Sequence, residues 1–292
     1  MSGIAYLLRA PLAAAIAALS LGTPATAAPH PDASRVLAIG GSITEIIYAL
    51  GQQDRLIARD TTSSFPAEAE ALPDVGYMRA LSPEGVLSVK PDLILSEEGA
   101  GPPEAIEVLQ DAGIPFETVT AEANGEGVKQ KIRDVAETLG VPDAADGPIA
   151  AIEADLATLA ASVENVEKKR VLFILSLQGG RVMASGQGTE ADAIIQMAGA
   201  VNAVEGLQGY KPLTDEAITA AAPDVILMMN RGAATSSHDM ADEELLALPA
   251  VSTTPAARNH AIIRMDGLYL LGFGPRTGKA ALDLHNAIYG TH

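Results

Sequence analysis

Two rhythms alternate along this chain. Short, mostly apolar runs at residues 35–39, 56–58, 93–95, 116–119, 170–175, 225–229 and 261–265 read as strands. Between them apolar residues recur every third or fourth position, the spacing of an amphipathic helix. The first such segment follows Gly40-Gly41. There Ile43, Ile46, Ile47 and Leu50 make one apolar face, Ser42 and Glu45 fit a capping box, and Gly51 marks the end. Further helices are expected at 103–112, 127–139, 190–198 and 278–289, a loop at 61–66, a hairpin-like turn at 179–188 and a mobile segment at 232–242. Strands separated by helices pair in parallel, with the helices covering the sheet, so the pattern predicts an α/β fold.

Residues 148–166 break the alternation. They are rich in Ala, Leu and Glu with no internal Gly or Pro, and read as one long helix. The expected organisation is a first lobe at 28–146, a connecting helix at 147–168 and a second lobe at 169–292. Each lobe is Rossmann-like with a mostly parallel sheet. A helical connector resists bending more than a loop does, because its backbone hydrogen bonds must break for it to bend.

The two lobes carry a repeated unit. Residues 76–96 read GYMRALSPEGVLSVKPDLILS and residues 209–229 read GYKPLTDEAITAAAPDVILMM. Each copy is a Gly-Tyr pair, a polar turn, a helix opened by Ser82 or Thr214 with Glu84 or Glu216 two places on, then Pro-Asp and an apolar strand. One repetition at this distance implies two lobes of similar build, whereas a solenoid needs several short repeats. Two such lobes enclose a cleft, the usual place for a ligand.

Residues 1–27 have the form of an export signal: Arg9 supplies the charge, 11–21 the apolar run, and Ala25-Thr26-Ala27 a small-residue cleavage site. About 265 residues remain, enough for two domains. The chain has no cysteine, hence no disulfide frame and no N-terminal cysteine to carry a lipid. A soluble periplasmic monomer without direct membrane insertion is expected. The net charge of −18, from 19 basic and 37 acidic residues, makes nucleic acid and acidic membranes unsuitable partners.

No G-x-S-x-G elbow, Walker loop or H-E-x-x-H is present, and no catalytic residue is expected. The glycine-rich stretch 272–278 lacks the strand-to-helix frame of a phosphate loop and reads as a turn leading into a helix. His30, His238, His260, His285 and His292 are scattered, a poor cage for a bare transition metal. Tyr77 has two readings. It is either a half-buried tyrosine whose hydroxyl meets a backbone group, or a phenolate that binds ferric iron, with Arg79 hydrogen-bonded to its oxygen or lowering its pKa. Met78, Met183, Met228 and Met229 either line a flat apolar ligand or fill gaps in the core.

The order of VLAIGGSITEIIYALG, LPDVGYMRALSPEGVLSVKPDLIL, the long connector and GYKPLTDEAITAAAPDVIL resembles the periplasmic haem-binding proteins of bacterial ABC importers, from about residue 35 to 289. The wider pattern is shared with siderophore and cobalamin binders of the same fold, and GYMRALSPE is the part more specific for haem. The resemblance implies a non-enzymatic protein that captures haem and delivers it to an inner-membrane ABC transporter. Tyr77 would be the axial iron ligand, Arg79 its neighbour in the pocket, and Arg231 a propionate partner across the cleft. Tyr210, with Lys211-Pro212 after it instead of Met78-Arg79-Ala80, would line the cleft or serve the fold. Glu84 and Glu216 would dock the two lobes on arginines of the permease dimer. Some relatives stack two haems with a histidine early in the second lobe. Here the turn reads Ser176-Leu177-Gln178-Gly179-Gly180, without that ligand. The alternative ligand for this fold is a ferric siderophore or a corrinoid. A siderophore leaves no role for Tyr77 on iron, and the scarcity of aromatic residues counts against it.

Overall fold

A computed structural model describes residues 28–178, 181–230 and 242–290. The expected leader, Gly179-Gly180, Arg231 and all of the 232–242 segment except Asp242 lie outside them. The first half contains β1 (Val36–Ile39), α1 (Gly41–Ala49), β2 (Leu56–Arg59), α2 (Pro83–Ser88), β3 (Leu93–Glu97), α3 (Pro103–Asp111), β4 (Phe116–Val119) and α4 (Gly125–Thr138). Then comes α5 (Asp146–Val163). The second half contains β5 (Arg170–Gln178), β6 (Arg181–Ser185), α6 (Glu190–Met197), β7 (Val201–Asn202), β8 (Tyr210–Leu213), α7 (Asp215–Ala221), β9 (Val225–Asn230), α8 (Asp242–Leu246), α9 (Pro249–Ser252), α10 (Pro255–Arg258), β10 (Ile262–Asp266), α11 (Gly267–Leu271) and α12 (Thr277–Tyr289).

The first sheet is parallel throughout, in the order β2-β1-β3-β4. The second has the order β10-β9-β5-β6-β8 and is mixed, where a mostly parallel sheet was expected. Strands β10, β9 and β5 are parallel, while β6 and β8 run antiparallel to their neighbours. The hairpin after β5 is the cause, because a strand that returns at once can only pair antiparallel. Strand β7 pairs with the start of β5 and β6 with its far half. Residues 176–178 are therefore strand, not turn.

Helix α5 is more than a strut. It packs on α12 and on α4. One apolar cluster runs from Val36, Ile46 and Leu93 through Ile132, Ile152 and Leu159 to Phe173, Ile194 and Leu284, from one sheet to the other. Each lobe also keeps a separate cluster on the far face of its sheet.

The predicted capping box on α1 does not form. Gly40 caps the helix with φ 105°, and no side chain caps it. Ser42 and Glu45 serve tertiary partners instead: the Ser42 hydroxyl donates to Glu97 Oε1 at 2.8 Å, and Glu45 binds Arg276 of the second half. Lys131, only 4% exposed, donates to the same Glu97 oxygen at 2.6 Å and to Ser42 Oγ at 3.1 Å. Removing the carboxylate strands a buried ammonium. Glu97→Ala should lower the unfolding free energy by about 3 kcal/mol. A urea midpoint that falls at unchanged slope is the expected reading.

Candidate functional site

Helix α1 leaves the carboxyl end of β1, and α11 leaves the carboxyl end of β10. These two helix starts touch. A Cβ on Gly41 would lie 2.5 Å from Leu268 Cδ1 and 2.6 Å from the Thr62 carbonyl, so only glycine permits the approach. The sheets thus meet at their carboxyl ends, where open α/β sheets bind ligands. The first sheet also has its switch point there, since β2 and β3 flank β1.

The loop after β2 is built on Asp60, which is fully buried. Its carboxylate accepts from the N–H groups of Gly40 and Thr62 and from the hydroxyls of Thr62 and Ser63. Four donors of this kind offset the cost of burying the charge. The same loop fixes the Tyr77 turn. Thr61 N–H donates to the Gly76 carbonyl at 3.0 Å, and Thr61 Oγ1 to Asp74 Oδ1 at 3.1 Å. Gly76 has φ 103°, a conformation that L side chains rarely adopt. Ala80 N–H closes the turn on the Tyr77 carbonyl at 2.8 Å. Gly101 pins it from outside through Met78 and Leu81, and Met78 is buried.

Tyr77 is 47% exposed, unusual for so large a side chain. Neither its hydroxyl nor the exposed guanidinium of Arg79 has a hydrogen-bonding or ionic partner among the described residues. The backbone is fixed, and no described residue occupies either functional group.

Tyr210 is not its structural twin. Its sequence neighbours match, but Tyr210 starts strand β8 and pairs with Ser185. Its ring packs on Phe173 at 6.3 Å between centroids, and its hydroxyl donates to Glu190 at 3.4 Å. Burial, helped by the Glu190 charge, pushes its pKa up to about 12. A phenol so held resists becoming a phenolate. Arg231 lies outside the described residues, directly after β9.

Glu84 and Glu216 keep the correspondence that the tyrosines lose. Each is exposed at the second position of a short helix, after a cap in which Ser82 or Thr214 accepts from the N–H of Gly85 or Ala217. A hydrogen bond from its own N–H, with one from the Thr214 hydroxyl, holds the Glu216 carboxyl below its ordinary range. Met228 is buried in the second-lobe core, and Met183 and Met229 are half-buried. His285 is buried with Nδ1 at 2.9 Å from the Ala198 carbonyl, a role in the fold.

One cluster escaped the sequence reading. Arg276, at the start of α12, grips Glu45 of α1 with Nε at 3.0 Å and Nη2 at 2.8 Å. Its guanidinium lies 3.6 Å from the Phe65 ring centroid and 4.9 Å from that of Tyr269. Burial and a hydrogen bond to Asp283 raise the pKa of Tyr269. A cation at a helix N-terminus opposes the helix dipole, and that was the available signal that Arg276 needs a carboxylate. Nothing in the sequence says that the carboxylate lies 231 residues away.

Among the described residues no helix is long and apolar enough to cross a membrane. Solved structures share this fold. Periplasmic heme-binding protein BhuT, in complex with two hemes, is 40% identical with a TM-score of 0.81, the match covering 87% of this chain and 97% of that one. Periplasmic heme-binding protein RhuT from Roseiflexus sp. RS-1, in apo form, is 37% identical with a TM-score of 0.82, covering 88% and 98%. The vitamin B12-binding protein of Vibrio parahaemolyticus is 24% identical over 86% of this chain and 87% of its own length. The model of the periplasmic binding protein family matches residues 36–268, most of the chain. Two α/β lobes are the build of that family, and this chain belongs to it.

Proposed function

We propose that this protein captures haem in the periplasm, after export directed by residues 1–27, and hands it to an inner-membrane ABC transporter. The observation that carries this reading is Tyr77, an exposed phenol on a turn fixed from three sides, which, like Arg79 beside it, has no partner among the described residues. A phenolate is a hard oxygen ligand suited to ferric iron. The relatives at 37–40% identity that bind heme support the choice of ligand. Tyr77 is the axial ligand, Tyr210 a cleft-lining residue, and Arg79 and Arg231 pair with the propionates. Glu84 and Glu216 meet the permease dimer. The similarity to a vitamin B12-binding protein favours a corrinoid as the second reading.

Haemin added to the purified protein should give a five-coordinate, high-spin ferric spectrum with a charge-transfer band in the red. The titration endpoint counts haems per chain. A spectrum unchanged from free haemin, with cyanocobalamin bound instead, overturns the reading in favour of the corrinoid.

The two arginines should act through charge and shape together. Propionates entering a protein of net charge −18 need local cations, because an unpaired buried carboxylate costs several kcal/mol. Lysine keeps the charge but loses the two-pronged geometry, and alanine loses both. Haemin affinity should therefore fall in two steps at each position, alanine below lysine, as fluorescence-quenching titrations would show.

A further inference from the structure

Phe65 is the other large aromatic side chain exposed on the rim, at 39%. It sits on the loop whose Thr61 holds Gly76, one residue before Tyr77, so both aromatics project from one hydrogen-bonded pair of loops. Phe65 also touches the second lobe. The Arg276 guanidinium covers one face of its ring at 3.6 Å, and 39% of the residue stays exposed. Arg276 has little freedom: Glu45, itself 5% exposed, holds it by two side-chain bonds and a third to its backbone N–H at 3.2 Å. A phenylalanine held against a fixed cation and still more than a third exposed stands out in a chain with no tryptophan and four phenylalanines. The cost of exposing it is recovered only when something flat and apolar lies against it.

We infer that Phe65 is a wall of the ligand site, a stacking surface for the macrocycle, and that Arg276 of the other lobe, held by Glu45, is its buttress. This rests on the haem reading. Tyr77 supplies the bond to iron, and Phe65 fixes the plane of the ring system through apolar contact, with the cation behind it holding the aromatic ring in place.

The test is a double-mutant cycle on haemin affinity, with the visible spectrum and thermal midpoint recorded for every variant. Phe65→Ala should bind about tenfold more weakly, the worth of one aromatic face removed from water. Its tyrosinate charge-transfer band should stay in place. Phe65→Tyr, which keeps the face, should bind as the unsubstituted protein does. Glu45→Gln with Arg276→Gln, made together so that no buried charge is left alone, should weaken binding less than Phe65→Ala. Added to Phe65→Ala, that pair should cost nothing further, since no ring is left to support. Unchanged affinity in Phe65→Ala, at an unchanged thermal midpoint, overturns the wall. Additive losses overturn the buttress. Failure of the unsubstituted protein to bind haemin overturns the haem reading, and this inference with it.

Discussion

Tyr77→Ala should lose the charge-transfer band of ferric haem and bind haemin more weakly by upward of about a hundredfold, since losing an outer-sphere partner alone costs about 10- to 100-fold. Tyr210→Ala should keep the band and most of the affinity. The contrast follows from their surroundings rather than from their shared Gly-Tyr motif. Tyr77 is exposed on a fixed turn, so ligation breaks no bond to the described residues. Tyr210 is packed on Phe173, bonded to Glu190 and pushed to a pKa of about 12. To ligate iron it must leave its partner and give up a tightly held proton. Visible spectra and titrations of the two variants decide the matter, and the opposite pattern moves the iron to the second lobe.

Loss of both Glu84 and Glu216 should abolish most transporter-stimulated ATP hydrolysis and haem uptake in reconstituted vesicles, with folding and haemin affinity unchanged. Each residue sits at a helix start, where an acidic side chain is favoured by the dipole, and that alone would account for either one. The pair is harder to account for in this way. The units around them have diverged so far that one tyrosine is in a turn and the other in a strand, yet both glutamates remain exposed at the same helical position. Exposed charges of this type govern encounter and register more than stability. Normal uptake by the double alanine variant would leave both residues as helix-start acids and nothing more.

Much of the fold was legible because it rests on local rules. Mostly apolar runs place β1, β2, β4, β9 and β10 to within a residue or so, β5 stops three residues short of its end, and the stretch without internal Gly or Pro places α5 two to three residues late. The mixed second sheet is within reach of the sequence, since a hairpin after β5 entails an antiparallel pair. What stayed hidden was tertiary. Ser42 and Glu45 fit a cap by spacing, yet Glu97 and Arg276 offered each a charged or charge-assisted bond, stronger than a neutral cap. Phe65 reads as an ordinary loop residue, because the cation that supports it comes from the far end of the chain. At the site, the Tyr77 turn was legible in its sequence, whereas the difference between Tyr77 and Tyr210 depends on what packs around each.

The apolar cluster that joins the sheets through α4, α5 and α12 also limits how such a protein can change over generations. Residues from both ends of the chain complete it, Val36 and Ile46 near one and Leu284 near the other. Neither half can therefore be traded for that of a relative as a ready-made cassette, because each would arrive without the hydrophobic surface that the other was shaped to cover. New ligand preferences have to come from the rim loops, which contribute little to the shared interior and can vary without disturbing it.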